Sequence, residues 1–169
     1  MPTATPILGT ATAVTITLAS LATDATAGGP FVGRSSAVLV LDAIDVMVSG
    51  IFRTHSTAPT AGTRIEVWSY SAWDNVSGTP AYTGGATGTD AALTTNARNK
   101  PLMRLITVIA VDATVSADYP WGPFSIAQAY GGFIPTRFGI FVTHNTGQIL
   151  NATAGTNTMY YQVLNFESI

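Results

Sequence analysis

Apolar and polar residues alternate along this chain with the period of strands. Ala13-Val14-Thr15-Ile16-Thr17-Leu18 alternates as a half-buried strand does. Arg64-Ile65-Glu66-Val67-Trp68-Ser69-Tyr70 alternates again, setting Ile65 and Val67 on one face and Trp68 and Tyr70 on the other. Ser36-Ala37-Val38-Leu39-Val40-Leu41 is a nearly continuous apolar run, as expected of a strand covered on both faces. Segment 44–54 is rich in β-branched residues, with Gly50 as a bulge or bend. Segments 103–111, 122–127, 138–143 and 159–166 complete a set of about eight strands. Turn chemistry separates them at Gly28-Gly29-Pro30, Ala58-Pro59, 75–78, Gly84-Gly85, Gly131-Gly132 and Asn145-Thr146-Gly147. Apolar residues keep helical spacing for no more than a turn or two, so only 90–93 and 127–130 are expected to form single helical turns. The pattern predicts an all-β fold, an antiparallel two-sheet sandwich of jelly-roll type.

Residues 1–11, with Pro2 and Pro6, read as an extended N-terminal arm, and 12–169 as one sandwich domain. An arm can add strand-like hydrogen bonds to a neighbouring subunit, which makes Pro6 and Ile7 candidate partner-binding residues. Two long loops, 72–101 and 112–123, carry Trp73, Tyr82, Tyr119 and Trp121. Loops of that length are usually functional, and a large aromatic on one either plugs its own core or anchors a partner. These four are therefore candidate partner-binding residues, for a protein surface first and for a glycan second.

Charge changes the picture. Charged residues make up 9% of the chain, against roughly 25% in an average soluble domain. Thr, Ala, Gly, Ser and Asn take their place, and hydroxyls and amides cost far less to bury than ions. The composition leans toward assembly. The seven Lys and Arg residues are scattered, which leaves no basic footprint for nucleic acid or for an anionic membrane surface. There is no cysteine, hence no disulfide and no thiolate site. Residues 1–10 lack the positive and apolar regions of a signal peptide, and the longest apolar run is too short to span a bilayer. The expected setting is assembly in cytoplasm.

Catalytic patterns are sparse. His55 and His144 stand outside any metal-ligand spacing. A glycosidase would need two carboxyls across a cleft, one raised by an apolar wall. Glu66 with a distant Asp is the pair available, and Asp at strand ends more often caps turns. No Gly-x-Ser-x-Gly elbow occurs, and the glycine-rich 82–89 lacks the lysine of a phosphate loop. No catalytic residue, metal ligand or cofactor is assigned, and the expectation is a protein that is not an enzyme.

Several short segments resemble small virion proteins of tailed bacteriophages. They are 5–22, running on through Ala27-Gly28 to Arg34-Ser35-Ser36, then Gly88-Thr89-Asp90-Ala91-Ala92, Gly122-Pro123-Phe124-Ser125-Ile126-Ala127, and Tyr130-Gly131-Gly132-Phe133-Ile134-Pro135 followed by Phe138-Gly139-Ile140. The pattern departs around 29–32, where extra residues lengthen the turn. The resemblance implies a head decoration (cement) protein: a jelly-roll subunit, trimeric with itself, bound to the major capsid protein on the capsid surface of the virion. It brings no catalytic residue. The alternative is a fibre or receptor-binding module that holds glycan on its loop aromatics.

Overall fold

Burial along 45–53 alternates residue by residue, with Val46, Val48 and Phe52 out of water and Met47, Ser49 and Ile51 facing it more. That period repeats through a set of antiparallel strands in the computed structural model, which describes residues 4–24, 31–40, 43–72 and 81–168. The strands are β1 (Ala4–Leu8), β2 (Thr12–Ala13), β3 (Phe31–Ser35), β4 (Leu39–Val40), β5 (Asp45–Arg53), β6 (Thr63–Ser71), β7 (Ala91–Thr95), β8 (Arg104–Val111), β9 (Asp118–Ser125), β10 (Arg137–His144) and β11 (Thr158–Ser168). The helical turn α1 (Ile126–Ala129) follows β9.

Two antiparallel sheets pack as a sandwich. The first runs β1-β11-β5-β9, with β2 also on β11; the second runs β7-β3-β10-β6-β8, with β4 also on β10. The pairing is nested. β5 pairs with β9, and inside that pair in sequence β6 pairs with β8. β10 then returns beside β6 and β11 beside β5.

Two apolar clusters result, one on each side of the second sheet. Val46, Val48, Phe52, Ile65, Val67, Phe138, Ile140, Val142 and Met159 meet between the sheets. On the outer side, Tyr70, Phe141, Leu93, Met103 and Ala86 form a second cluster. Segment 81–103 supplies three of those five and covers the outer face of the second sheet. Each large side chain so buried contributes on the order of 2 kcal/mol. Ile65 and Val67 lie on one face and Trp68 and Tyr70 on the other, as the alternation requires.

Other expectations shift. The 13–18 pattern yields ladder pairing only at Thr12 and Ala13, although Val14, Ile16 and Leu18 do enter the inter-sheet core. In the described part of the 36–41 run, 36–40, Leu39–Val40 pairs with β10 as a strand and the Ser36 N–H reaches the Ile140 carbonyl at 2.8 Å. Residues 91–95 form β7, where a helical turn is expected over 90–93, whereas 126–129 is helical, one residue from the expected 127–130. Gly50 does lie at a β-bulge: the register on β9 slips between Val48 and Gly50. Within the arm, Ala4–Leu8 forms β1 and pairs with this chain's own C-terminal strand.

Gly33 of β3 is required by its position. A Cβ there would lie 2.3 Å from the backbone oxygen of Val142 and 2.5 Å from the Phe141 ring. The backbone oxygen cannot swing aside, so Gly33→Ala should cost about 2 kcal/mol or more in urea unfolding. An unchanged midpoint would contradict the β3–β10 register.

Candidate functional site

Lys100, on the 3-10 turn Lys100–Leu102, and Glu66 on β6 are each 7% exposed and form an ion pair beneath segment 81–103. Arg64 Nε donates to Glu66 Oε1 at 2.6 Å, and Trp68 Nε1 donates to Oε2 at 3.0 Å. The Lys100 ammonium sits 3.7 Å from the Phe31 ring centroid and 4.8 Å from that of Trp68, close enough for cation–π attraction. Burial alone would raise the Glu66 carboxyl, but hydrogen bonds from Lys100 and Arg64 and the Lys100 charge outweigh it and hold the carboxyl below its ordinary value. A glycosidase acid needs the reverse. Glu66 is a clamp holding segment 81–103 onto the sheet.

Three other carboxylates, Asp45, Asp90 and Asp118, are occupied in the same way. Asp45 accepts from Ala127 N at 2.9 Å and Ser125 Oγ at 2.6 Å, fixing α1 to β5. Asp90 binds Arg34 Nε at 2.6 Å and Thr17 Oγ1 at 2.6 Å, joining the chain's start to β7. Asp118 pairs with Arg53 across the β9–β5 edge at 2.5 Å. His144 is buried, with Nε2 3.0 Å from the Leu21 carbonyl and Nδ1 3.0 Å from Thr146 Oγ1. Burial holds its pKa below the ordinary value, against the opposing hydrogen bond to Leu21 and the charge of Asp24. His55 accepts from the Thr57 N–H at 3.0 Å and shapes a turn. Among the described residues, no three His, Asp or Glu side chains gather as a metal would require.

The loop aromatics part company. Trp73 lies outside the described residues, as do Asp42 and Asp74. Tyr82 is half-buried and meets Tyr70 edge-on at 5.7 Å, plugging the outer cluster. Tyr119 and Trp121 are not on a loop, contrary to expectation: both belong to β9. Pro120, Gly122 and Pro123 look like breakers in sequence, but β9 is an edge strand, and an edge tolerates prolines. Trp121 is 7% exposed and stacks on Phe52 with ring centroids 5.7 Å apart, so its ring is committed to the core. Tyr119 donates to Asp112 Oδ1 at 2.6 Å and closes the turn before β9. Pro6 and Ile7 are both exposed on β1.

The exposed surface shows a polarity that local sequence patterns do not announce. β5 begins opposite Leu164 of β11, so 165–168 and their β1 partners run on past the sandwich body as a two-stranded ribbon. Ile7, Leu8 and Phe166 are exposed there. Ile44, whose N–H reaches the Leu164 carbonyl, lies at this end, as do Val40 opposite Arg137 and Phe133 in the α1–β10 loop. Phe133 is 65% and Phe166 57% exposed. The far end, formed by 54–62, 112–117 and 145–157, is mostly Thr, Ser, Asn, Ala and Gly, with Val115 and Ile149 its only exposed large apolar residues. No family model, curated protein or solved structure matches this chain.

Removing Glu66 would leave Lys100 buried and uncompensated, so Glu66→Ala should lower unfolding stability by about 3 kcal/mol, and Glu66→Ala/Lys100→Met by less. Acid should act through Glu66 and His144 with one sign. Both have lowered values in the fold, so the unfolded chain binds more protons and stability rises with pH. The His144 contribution is complete above the ordinary imidazole value of 6.5 and the Glu66 contribution above the ordinary carboxyl value of 4.5. Each is lost as pH falls through the lowered folded value. Thermal melts from neutral to acid pH should show Glu66→Gln losing less stability than the parent below the carboxylate range; identical slopes would remove Glu66 as the cause.

Proposed function

We propose that this chain is a non-enzymatic structural protein of a bacteriophage virion, a head decoration (cement) protein that docks on the major capsid protein by its apolar end. The observation that supports this is the collection of Ile7, Leu8, Val40, Ile44, Phe133 and Phe166 at one end of the sandwich, opposite a hydroxyl- and amide-rich end. Exposed apolar groups gathered in one region, on a chain so poor in charge, are what a docking surface needs. A two-stranded ribbon is marginal by itself in water and gains by being covered. Strand order supports a jelly roll in particular: nested β5–β9 and β6–β8 pairs crossed by β10 and β11 match the architecture that many viral capsid domains share.

Burying Phe133 and Phe166 would supply about 2 kcal/mol each. The surrounding hydroxyls and amides are removed from water at little cost. Binding to the assembled shell and not to its separated subunits would then stabilise the shell by mass action. Repetition over a lattice makes modest single contacts sufficient.

Co-sedimentation with expanded heads of the phage that carries it tests this reading. The parent should pellet with heads, and Phe133→Ser/Phe166→Ser should bind at least about tenfold more weakly with an unchanged melting temperature. Parent protein that ignores heads, or a double variant that binds as well, would overturn the proposal.

A further inference from the structure

A sandwich of two open sheets has four edges, and an unprotected edge is a template for another strand. Three of the four are blunted here. In β1, Gly9 N–H reaches the Val163 carbonyl at 2.8 Å, so by alternation Thr5 and Ile7 also face β11 while Pro6 faces outward with no N–H to offer. β9 carries Pro120 and Pro123. β7 is only five residues long.

The fourth edge, β8, is eight residues long, Arg-Leu-Ile-Thr-Val-Ile-Ala-Val, with no proline and one charge. Leu105 and Val108 are exposed. The Val111 carbonyl accepts from Gly62 N–H at 3.1 Å on the β6 side, so by alternation Ile109 also faces β6, and Val108 and Ala110 direct their N–H and C=O groups outward. Among the described residues, no backbone group of 104–110 makes a bond outside its ladder with β6. The one irregularity is a bulge beside Ile106, where the register passes from Thr107 to Leu105.

We infer that β8 is a self-association edge, pairing antiparallel with β8 of a second copy about a two-fold axis at Val108. Two features of the strand select that register. Val108 already points its backbone groups outward, so two copies centred there exchange both bonds of a hydrogen-bonded pair. Charge agrees: Arg104 opens the strand and Asp112 follows it, and the same register brings each Arg104 toward Asp112 of the second copy. A parallel arrangement would set Arg104 against Arg104. Isologous symmetry makes the Arg104–Asp112 contact twice. The interface lies along the side of the sandwich and stands independently of the docking end; it is two-fold, unlike the three-fold cluster that the resemblance implies.

Sedimentation equilibrium across micromolar concentrations tests it. The parent should fit a monomer–dimer equilibrium. Val108→Pro removes an outward N–H and no β6 bond, and should raise the dimer dissociation constant at least about tenfold with the same melting temperature. Arg104→Asp should weaken the dimer by a similar factor, and Arg104→Asp/Asp112→Arg should restore it to within about threefold of the parent. If Val108→Pro does not fold, the charge reversal and its rescue carry the test. A parent that stays monomeric, a trimer indifferent to these changes, or a dimer whose constant ignores both the proline and the reversal would overturn the inference.

Discussion

From Phe138 to His144 every residue of β10 is buried, which demands a cover on both sides of a single strand. Inter-sheet packing covers Phe138, Ile140 and Val142. Segment 81–103 covers the side of Phe141, and it stays there because Glu66 and Lys100 bury their charges against each other between aromatic rings. Gly139 and Gly33 belong to the same constraint: a Cβ at 139 would lie 2.3 Å from the Tyr70 ring, and one at 33 would strike Val142. Several of the scarce charges of this chain are spent in such clamps, with Asp90–Arg34 tying β3 to the residue before β7 and Asp118–Arg53 closing an edge. What remains at the surface is largely hydroxyl, amide and carbon.

The sequence is most legible where one face of a strand is buried and the ladder is long. β5, β6, β8, β10 and β11 all lie within or close to their alternating or apolar segments, and the bulge at Gly50 was visible as a glycine inside a β-branched run. Alternation reports burial, however, and not pairing. Val14, Ile16 and Leu18 alternate because they enter the core, while their backbone leaves β11 after the Val14 N–H bond to the Met159 carbonyl. β3 lies outside every segment the alternation marks, and Gly33 within it lets Phe141 and Val142 approach. Of β9 the sequence marks only the half from Gly122 onward, because Pro120 interrupts the rest, and that places Trp121 on a loop although it stacks on Phe52.

The candidate site was less legible for a physical reason. Ile7, Val40, Ile44, Phe133 and Phe166 lie far apart in sequence, and each alone is an ordinary exposed residue. The overhang of β11 past β5 with β1 beside it, the β4–β10 pairing and the α1–β10 loop together bring them to one end. The arm candidates Pro6 and Ile7 belong to that end, whereas Tyr82 and Tyr119 are tied into their own fold by Tyr70 and Asp112.

Taken together, a body that pairs many of its few ions internally and whose open apolar groups collect at one end and along one strand is suited to association. The orientation of the subunit on an assembled head tests this most directly. An electron cryomicroscopy map of decorated heads should place the end bearing Phe133 and Phe166 against the shell, with the turns 54–62 and 145–157 toward solvent. A map with those turns against the shell and the aromatic end in solvent would contradict the account.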